Sequence, residues 1–270
     1  LLARHDAGHR LDAVLMPHFT HALTQVTGTV DSASCPVVAG APALVRASFA
    51  EALAARGIML LDPVVRITER AEVEVAMHEA LAPLTGATRD VSDAAVAAGY
   101  QALADVQARL TELGTAVVDD LDAGRRSAAV VVLLRPYHVD PGLSHRLGEE
   151  LQALGWAVLT PRSLPRRGRL DIQELSPECV NSGAAERLWA ARFAAQHERL
   201  GVIDLSSFRC GQDVPLAAPV RELCESTGTP LAILHDLDET RPVAALRLRL
   251  QTFAHAMRAR GLGPTPLVLP

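Results

Sequence analysis

Four cysteines and one short polar turn carry most of the chemistry open to this sequence. Cys210 stands in Ser206-Ser207-Phe208-Arg209-Cys210-Gly211-Gln212-Asp213, after the apolar run Val202–Leu205 and before a helical segment from Val214. A helix N-terminus favours thiolate, the form that attacks electrophiles and ligates metals. Gly211 lets a bulky group approach the backbone, and Ser206 adds a hydroxyl to the loop. The bland alternative is a small core thiol, since free cysteine is often buried. The loop position weighs against that alternative.

The polar turn is Arg135-Pro136-Tyr137-His138-Val139-Asp140-Pro141, directly after the most apolar run of the chain. Its two prolines stiffen it. Arg135, Tyr137 and His138 in one turn can hold an anion or move protons. A packed turn whose polar groups only satisfy the backbone is an equal reading. Cys35-Pro36 marks a loop-to-helix junction, where proline suits the first helical position. Cys224 falls inside a helical pattern and is expected to be structural. Cys179 lies in the least patterned stretch, Gly168–Gly183, and stays open. His18 and His21 share a segment, but a zinc site would need a third protein ligand. No CxxC pair occurs.

The elements that must position these residues follow from periodicity. Strands are expected over Leu11–Pro17, Gly57–Pro63, Ala128–Leu134, Trp156–Leu159, Val202–Leu205 and Leu231–His235. Helices are expected over 42–56, stopped by Gly57, and over 72–84, 92–113, 141–154, 186–200, 214–227 and 242–260. Strands alternating with helices imply right-handed crossovers and doubly wound parallel sheets of α/β type. The expected organisation is a partial α/β domain over 1–67, a helical connection over 68–126, and a second α/β domain over 127–270. Ligands in such sheets sit at the carboxyl ends of the strands.

Composition narrows the classes. The chain has 270 residues, 49% hydrophobic and only 3% aromatic, so its core is built of Ala, Val and Leu. The net charge of −5 is spread, with no basic stripe for nucleic acid. No uninterrupted apolar run approaches the ~20 residues needed to cross a bilayer, and polar residues Arg4, His5, Asp6 and His9 argue against a signal peptide. A cytoplasmic protein with reduced thiols is the expectation. Lysine is absent, which excludes a P-loop lysine and a lysine Schiff base.

Four segments together resemble a known family. Ser34–Phe49, Val130–Thr160, Ala185–Asp213 and Ile233–Phe253, in that order, look like segments of proteins related to 2-hydroxyacyl-CoA dehydratase and its activators. The family phrases are Cys-Pro-x-Val-x-x-x-Pro, Gly-Arg-Pro-Tyr-His and Asn-Ser-Phe-Gly-Cys-Gly-x-Asp. Leu134 and Arg209 stand here where those phrases have glycine. The closest likeness is to the carboxyl-terminal part of long activator-related chains, which makes this chain an expected part of a longer protein.

The resemblance implies Rossmann- or flavodoxin-like α/β domains and an iron–sulfur cluster, four-iron or double-cubane, whose ligand set this chain holds only in part. Cys35 and Cys210 match ligand positions, and Cys179 is the best local third ligand. Tyr137 and His138 would line the cluster pocket and supply protons, with Ser206 and Gly211 beside the group. Arg135 would neutralise an acidic group such as that of a CoA ester. The implied partners are an ATP-dependent activator protein or domain, an acyl-CoA, and a further subunit or domain. An active form would be a dehydratase-type lyase or an iron–sulfur reductase component. The alternative is a non-catalytic scaffold that has lost the cluster.

Overall fold

The computed structural model describes residues 1–168, 170–207, 210–237, 240 and 243–264. The fold is α/β, with parallel sheets flanked by helices as in Rossmann and flavodoxin-like proteins. It divides into two compact units. The first holds Leu1–Thr24, Asp31–Ala104 and Val180–Ser182; the second holds Gln25–Val30, Asp105–Cys179 and Gly183–Pro270.

The first unit is a βαβ crossover followed by helices. After the short α1 (Leu2–Asp6), β1 (Ala13–Leu15) and β2 (His18–His21) run forward, separated at Pro17. Helix α2 (Pro36–Ala54) returns the chain to β3 (Met59–Leu61) and β4 (Val64–Arg66). β1 pairs with β3 and β2 with β4, both in parallel. Gly57, at φ +66°, makes the left-handed turn out of α2 that glycine tolerates. Bidentate Arg56–Asp6 bonds of 2.7 and 2.8 Å tie α1 to the end of α2.

Helix α2 begins at Pro36, six residues before the sequence expectation, and contains Pro42 as an interior residue. It is also long and apolar enough, by length and composition alone, to cross a membrane. In this unit it is the crossover helix of the βαβ motif, held by an Arg46–Asp62 ion pair and by a 2.7 Å contact between His18 Nδ1 and the Ala39 carbonyl. Helices α3 (Arg70–Thr85) and α4 (Arg89–Asp122) follow, longer than the periodic segments read from sequence. The division between the units falls within α4, after Ala104.

The second unit carries a four-stranded parallel sheet, β5 (Ala129–Leu133), β6 (Ala157–Leu159), β7 (Leu200–Leu205) and β8 (Leu231–Leu234), in the order β6-β5-β7-β8. Every residue of β5 and β7 is buried. Successive side chains of β5 alternate between two cores. Ala129, Val131 and Leu133 pack with α7 (Ser182–Ala195) and α8 (Ala217–Thr227). Val130 and Val132 pack with α6 (Leu147–Ala153) and α9 (Val243–Ala259). An unbroken apolar strand is what burial on both faces demands. Each fully buried Val or Leu contributes roughly 1.5–3 kcal/mol.

One expected helix is broken. The segment read as 141–154 splits into α5 (Pro141–Ser144) and α6. Between them His145 and Arg146 both adopt positive φ, 49° and 58°. The stretch 136–139 is a single 3-10 turn, and another, Val214–Leu216, precedes α8. Position 242, the expected start of the last helix, lies outside the described residues; α9 is described from Val243.

Candidate functional site

The strand order places a reversal between β5 and β7: the chain leaves β5 for β6 on one side and returns to β7 on the other. Crevices at such reversals, outside the carboxyl ends of the strands, are where α/β sheets bind ligands. The polar turn leaves β5 here, and the Cys210 loop leaves β7 here.

A chain of alternating charge runs beneath both loops. Arg135 donates from Nε and an Nη to Asp213 Oδ1 at 2.9 and 2.7 Å. Ser206 Oγ donates to Asp213 Oδ2 at 2.8 Å. Arg187, reaching in from α7, lies with Nη1 3.5 Å from Asp213 Oδ1 and also pairs through Nη2 with Asp204. The same Nη2 donates to the Leu205 carbonyl at 2.9 Å. His235 Nε2, at the end of β8, lies 2.7 Å from Asp204 Oδ2. Asp204 and Arg187 are each 1% exposed. Burial raises the cost of ionised Asp213, but Arg187, Arg135 and Ser206 outweigh it and hold the carboxyl below its usual range.

His138 is held at both nitrogens. Its Nδ1 accepts from the Arg135 backbone N–H at 3.0 Å, so the proton sits on Nε2. Nε2 then donates to Ser207 Oγ at 2.9 Å, and Ser207 donates to the Leu237 carbonyl. Ser207 is therefore not activated as a nucleophile, because its proton is directed away from the imidazole. Burial pushes the His138 pKa down to about 4 despite the nearby Asp213 charge. The ring is neutral at physiological pH and serves as a fixed N–H donor.

Tyr137 stacks obliquely on His138, with ring centroids 4.3 Å apart. Burial, then the negative charges available to Asp213 and Cys210, push its phenol up to about 12. Cys210 is half-buried, and its backbone is pinned on both sides. Its N–H donates to the Ser207 carbonyl at 3.2 Å, and its own carbonyl accepts from Asp213 at 3.0 Å and Val214 at 3.2 Å. Beside it, a Cβ placed on Gly211 would meet nothing within 4 Å apart from its chain neighbours. Arg209 lies outside the described residues.

The structure thus brings Arg135, Tyr137, His138, Ser206, Cys210 and Gly211 to one end of one sheet. Cys179 belongs to the same unit but is 6% exposed within the apolar core on the α7 side. Cys35 belongs to the first unit, as the half-exposed N-cap of α2, and makes no side-chain capping bond. Cys224 is fully buried, and burial pushes its thiol up to about 12, as a structural residue requires. Among the described residues no three His, Cys, Asp or Glu side chains form a group able to hold a metal ion. Sequence reasoning missed Arg187, Asp204 and His235. The signal was present: an aspartate inside an apolar strand and an arginine inside an apolar helix, each requiring a partner.

Residues 5–164 match the family described as CoA enzyme activase uncharacterised domain, more than half of the chain. No curated protein and no solved structure matches the chain.

Proposed function

We propose that this chain, which belongs to the CoA enzyme activase uncharacterised-domain family, works beside an acyl-CoA dehydratase as an α/β module that contributes Cys210 to a shared iron–sulfur centre. The observation that carries this reading is half-buried Cys210 at the carboxyl end of the sheet, three residues before Asp213, which Arg135 and Ser206 hold. Thiolates are the usual protein ligands of such clusters, which supply one-electron chemistry. Cys179, within the same unit, is a weaker ligand because of its apolar burial.

The described donor set does not fit a complete cluster on its own, because no group of three ligating side chains is assembled. A shared centre therefore needs cysteines from another domain or subunit. The chain's other residues act around the thiol. Tyr137 stays protonated and can donate a hydrogen bond to a bound group, and His138 and Arg135 hold the loop geometry. Without lysine, and without a glycine-rich phosphate loop, the chain leaves ATP hydrolysis to its activator partner. The reading places it in the reducing cytoplasm, where thiolates persist.

The same incomplete donor set favours a second reading, a scaffold that organises a dehydratase or activator without binding iron. Anaerobic purification of the full-length protein with its dehydratase partner separates the two. A shared centre gives a brown complex with broad absorbance near ~400 nm, and Cys210→Ser lowers both its iron content and its melting temperature, because a group bound only by the folded state stabilises it. Iron content equal in wild type and Cys210→Ser would remove Cys210 from the centre. A colourless, iron-free complex would leave the scaffold.

A further inference from the structure

The loop that leaves the carboxyl end of β6 carries Arg162, Arg166 and Arg167, and its backbone is fixed. The Thr160 N–H donates to Ser163 Oγ at 2.8 Å, and Gln107 Nε2 of α4 donates to the Arg162 carbonyl at 2.8 Å. Leu164 anchors the turn in the core on the α7 side, with none of its surface exposed. All of these residues belong to the second unit. Arg167 is taken up by Asp119 of α4, at 2.7 Å. Arg162 and Arg166 instead interact with α7.

Arg166 is the anomaly. Its guanidinium lies 4.4 Å from the centre of the Trp189 ring, and Trp189 is 1% exposed. Stacking on an indole orients the planar guanidinium and leaves its N–H groups to bond within that plane. Yet Arg166 Nε and Nη1 are buried and have no hydrogen-bond partner among the described residues. A buried donor without an acceptor is destabilising, the more so when charged, and in native proteins it calls for an acceptor. The nearby acid does not supply one. Glu186, near the start of α7, has a side chain 13% exposed and lies 3.6 Å from Arg162 Nε, beyond hydrogen-bond distance. Burial pushes its carboxyl above the usual range, although Arg162, Arg166 and Arg135 all pull it down. Arg135 is already paired with Asp213. Two guanidinia therefore face one carboxyl, and the cluster keeps at least one positive charge in excess.

We infer that Arg166 and Arg162 bind a phosphoryl group, Arg166 through the donors that otherwise lack an acceptor and Arg162 as the second cation. A tetrahedral oxyanion presents oxygens in three directions, so it can serve both guanidinia and still accept from a protonated Glu186. A planar carboxylate, with two oxygens, serves fewer of these donors. Free phosphate and a phosphate monoester share this chemistry. The site uses neither the cysteines nor iron, so it stands or falls independently of the cluster reading.

Phosphorus NMR line broadening and thermal melts of the full chain test it, with inorganic phosphate, phenyl phosphate and acetate at matched ionic strength and low millimolar concentration, where salting-out effects are small. Phosphate broadens and raises the melting temperature, as a ligand of the folded state does, and acetate is at least about tenfold weaker in the melts. A stronger response to phenyl phosphate assigns the monoester, and a weaker one the free anion. Arg166→Met keeps a long side chain on Trp189 and weakens phosphate at least about tenfold. Arg167→Met removes the same charge from the same loop and leaves the affinity within about twofold. Glu186→Gln binds phosphate at least as tightly as wild type. No response of wild type overturns the site, as does an unchanged response in Arg166→Met or weaker binding in Glu186→Gln. An equal loss in Arg167→Met reduces the effect to net charge and overturns it too. Acetate as effective as phosphate overturns the phosphoryl assignment. Should Arg166→Met fail to fold, an unchanged response in Arg162→Met overturns the site on its own.

Discussion

Arg187 and Asp204 meet inside the second unit, guanidinium on carboxylate, with each side chain only 1% exposed. The pair joins α7 to the centre of the sheet and, through Arg187, reaches the aspartate that holds the Cys210 loop. Removing one member of a buried pair strands the other charge, which costs roughly 3–5 kcal/mol. Arg187→Met is expected to lose that much in urea unfolding. Adding Asp204→Asn should return part of the loss, because the stranded charge is then gone.

The His138 ring gives the second unit a pH dependence whose sign is fixed. Its folded pKa lies at about 4, below the ordinary value of 6.5. The unfolded chain therefore takes up the proton first. Stability is complete above about pH 6.5 and falls as pH drops toward 4, by on the order of 3 kcal/mol in total. His138→Gln should flatten that limb relative to wild type. Equal slopes in urea melts between pH 4 and 6.5 would show that the ring does not carry the effect.

Asp213 acts in a lower window. Its folded pKa is depressed, so its contribution is present above the unfolded carboxylate value and disappears as pH falls through the folded one. Asp213→Asn should lose stability at pH 7, and it should lose less than wild type on acidification below about pH 4. Acid titration followed by circular dichroism reads the difference.

Thiol reactivity should separate the cysteines. Cys224 is fully buried, with its pKa pushed up to about 12, and reacts only when the fold opens. Iodoacetamide followed by mass spectrometry is expected to label Cys210 and Cys35 first and Cys224 roughly a thousandfold more slowly. Comparable rates would contradict the described burial.

Gly114 offers a packing test. It lies in α4 where a Cβ would overlap the carbonyl of Ser163, a backbone group that cannot yield. Gly114→Ala gains helix propensity of about 1 kcal/mol but forces the helix off the loop after β6. A net loss of roughly 1–3 kcal/mol is expected, read as a lower melting temperature.

The parts legible in the sequence were those with a local cause. Ala128–Leu134 reads as a buried strand because every residue in it is apolar, and the structure buries all of β5. Gly57 marks the end of α2 because only the left-handed turn explains it. The loops after β5 and β7 were visible as polar interruptions, and the structure sets both at one sheet end. What stayed hidden depends on tertiary context. The break at His145–Arg146 carries neither glycine nor proline, so the helical pattern reads straight through it. β2 and β4 are too short to announce themselves, β2 is also polar, and they form by pairing with each other. The partners of Arg135 and His138, seventy or so residues away, follow only from the strand order.

The charge chain from Arg135 through Asp213, Arg187 and Asp204 to His235 also bears on how this protein can change over generations. No member can be replaced privately, because each is hydrogen-bonded or ion-paired to the next. A drift at half-exposed His235 alters the burden on Asp204 and, by way of Arg187, the clamp on the cysteine loop. Substitutions here should be strongly epistatic, tolerated in compensating pairs and eliminated singly. The lineage can therefore lose the thiol at Cys210 more easily than it can lose the five residues that position it.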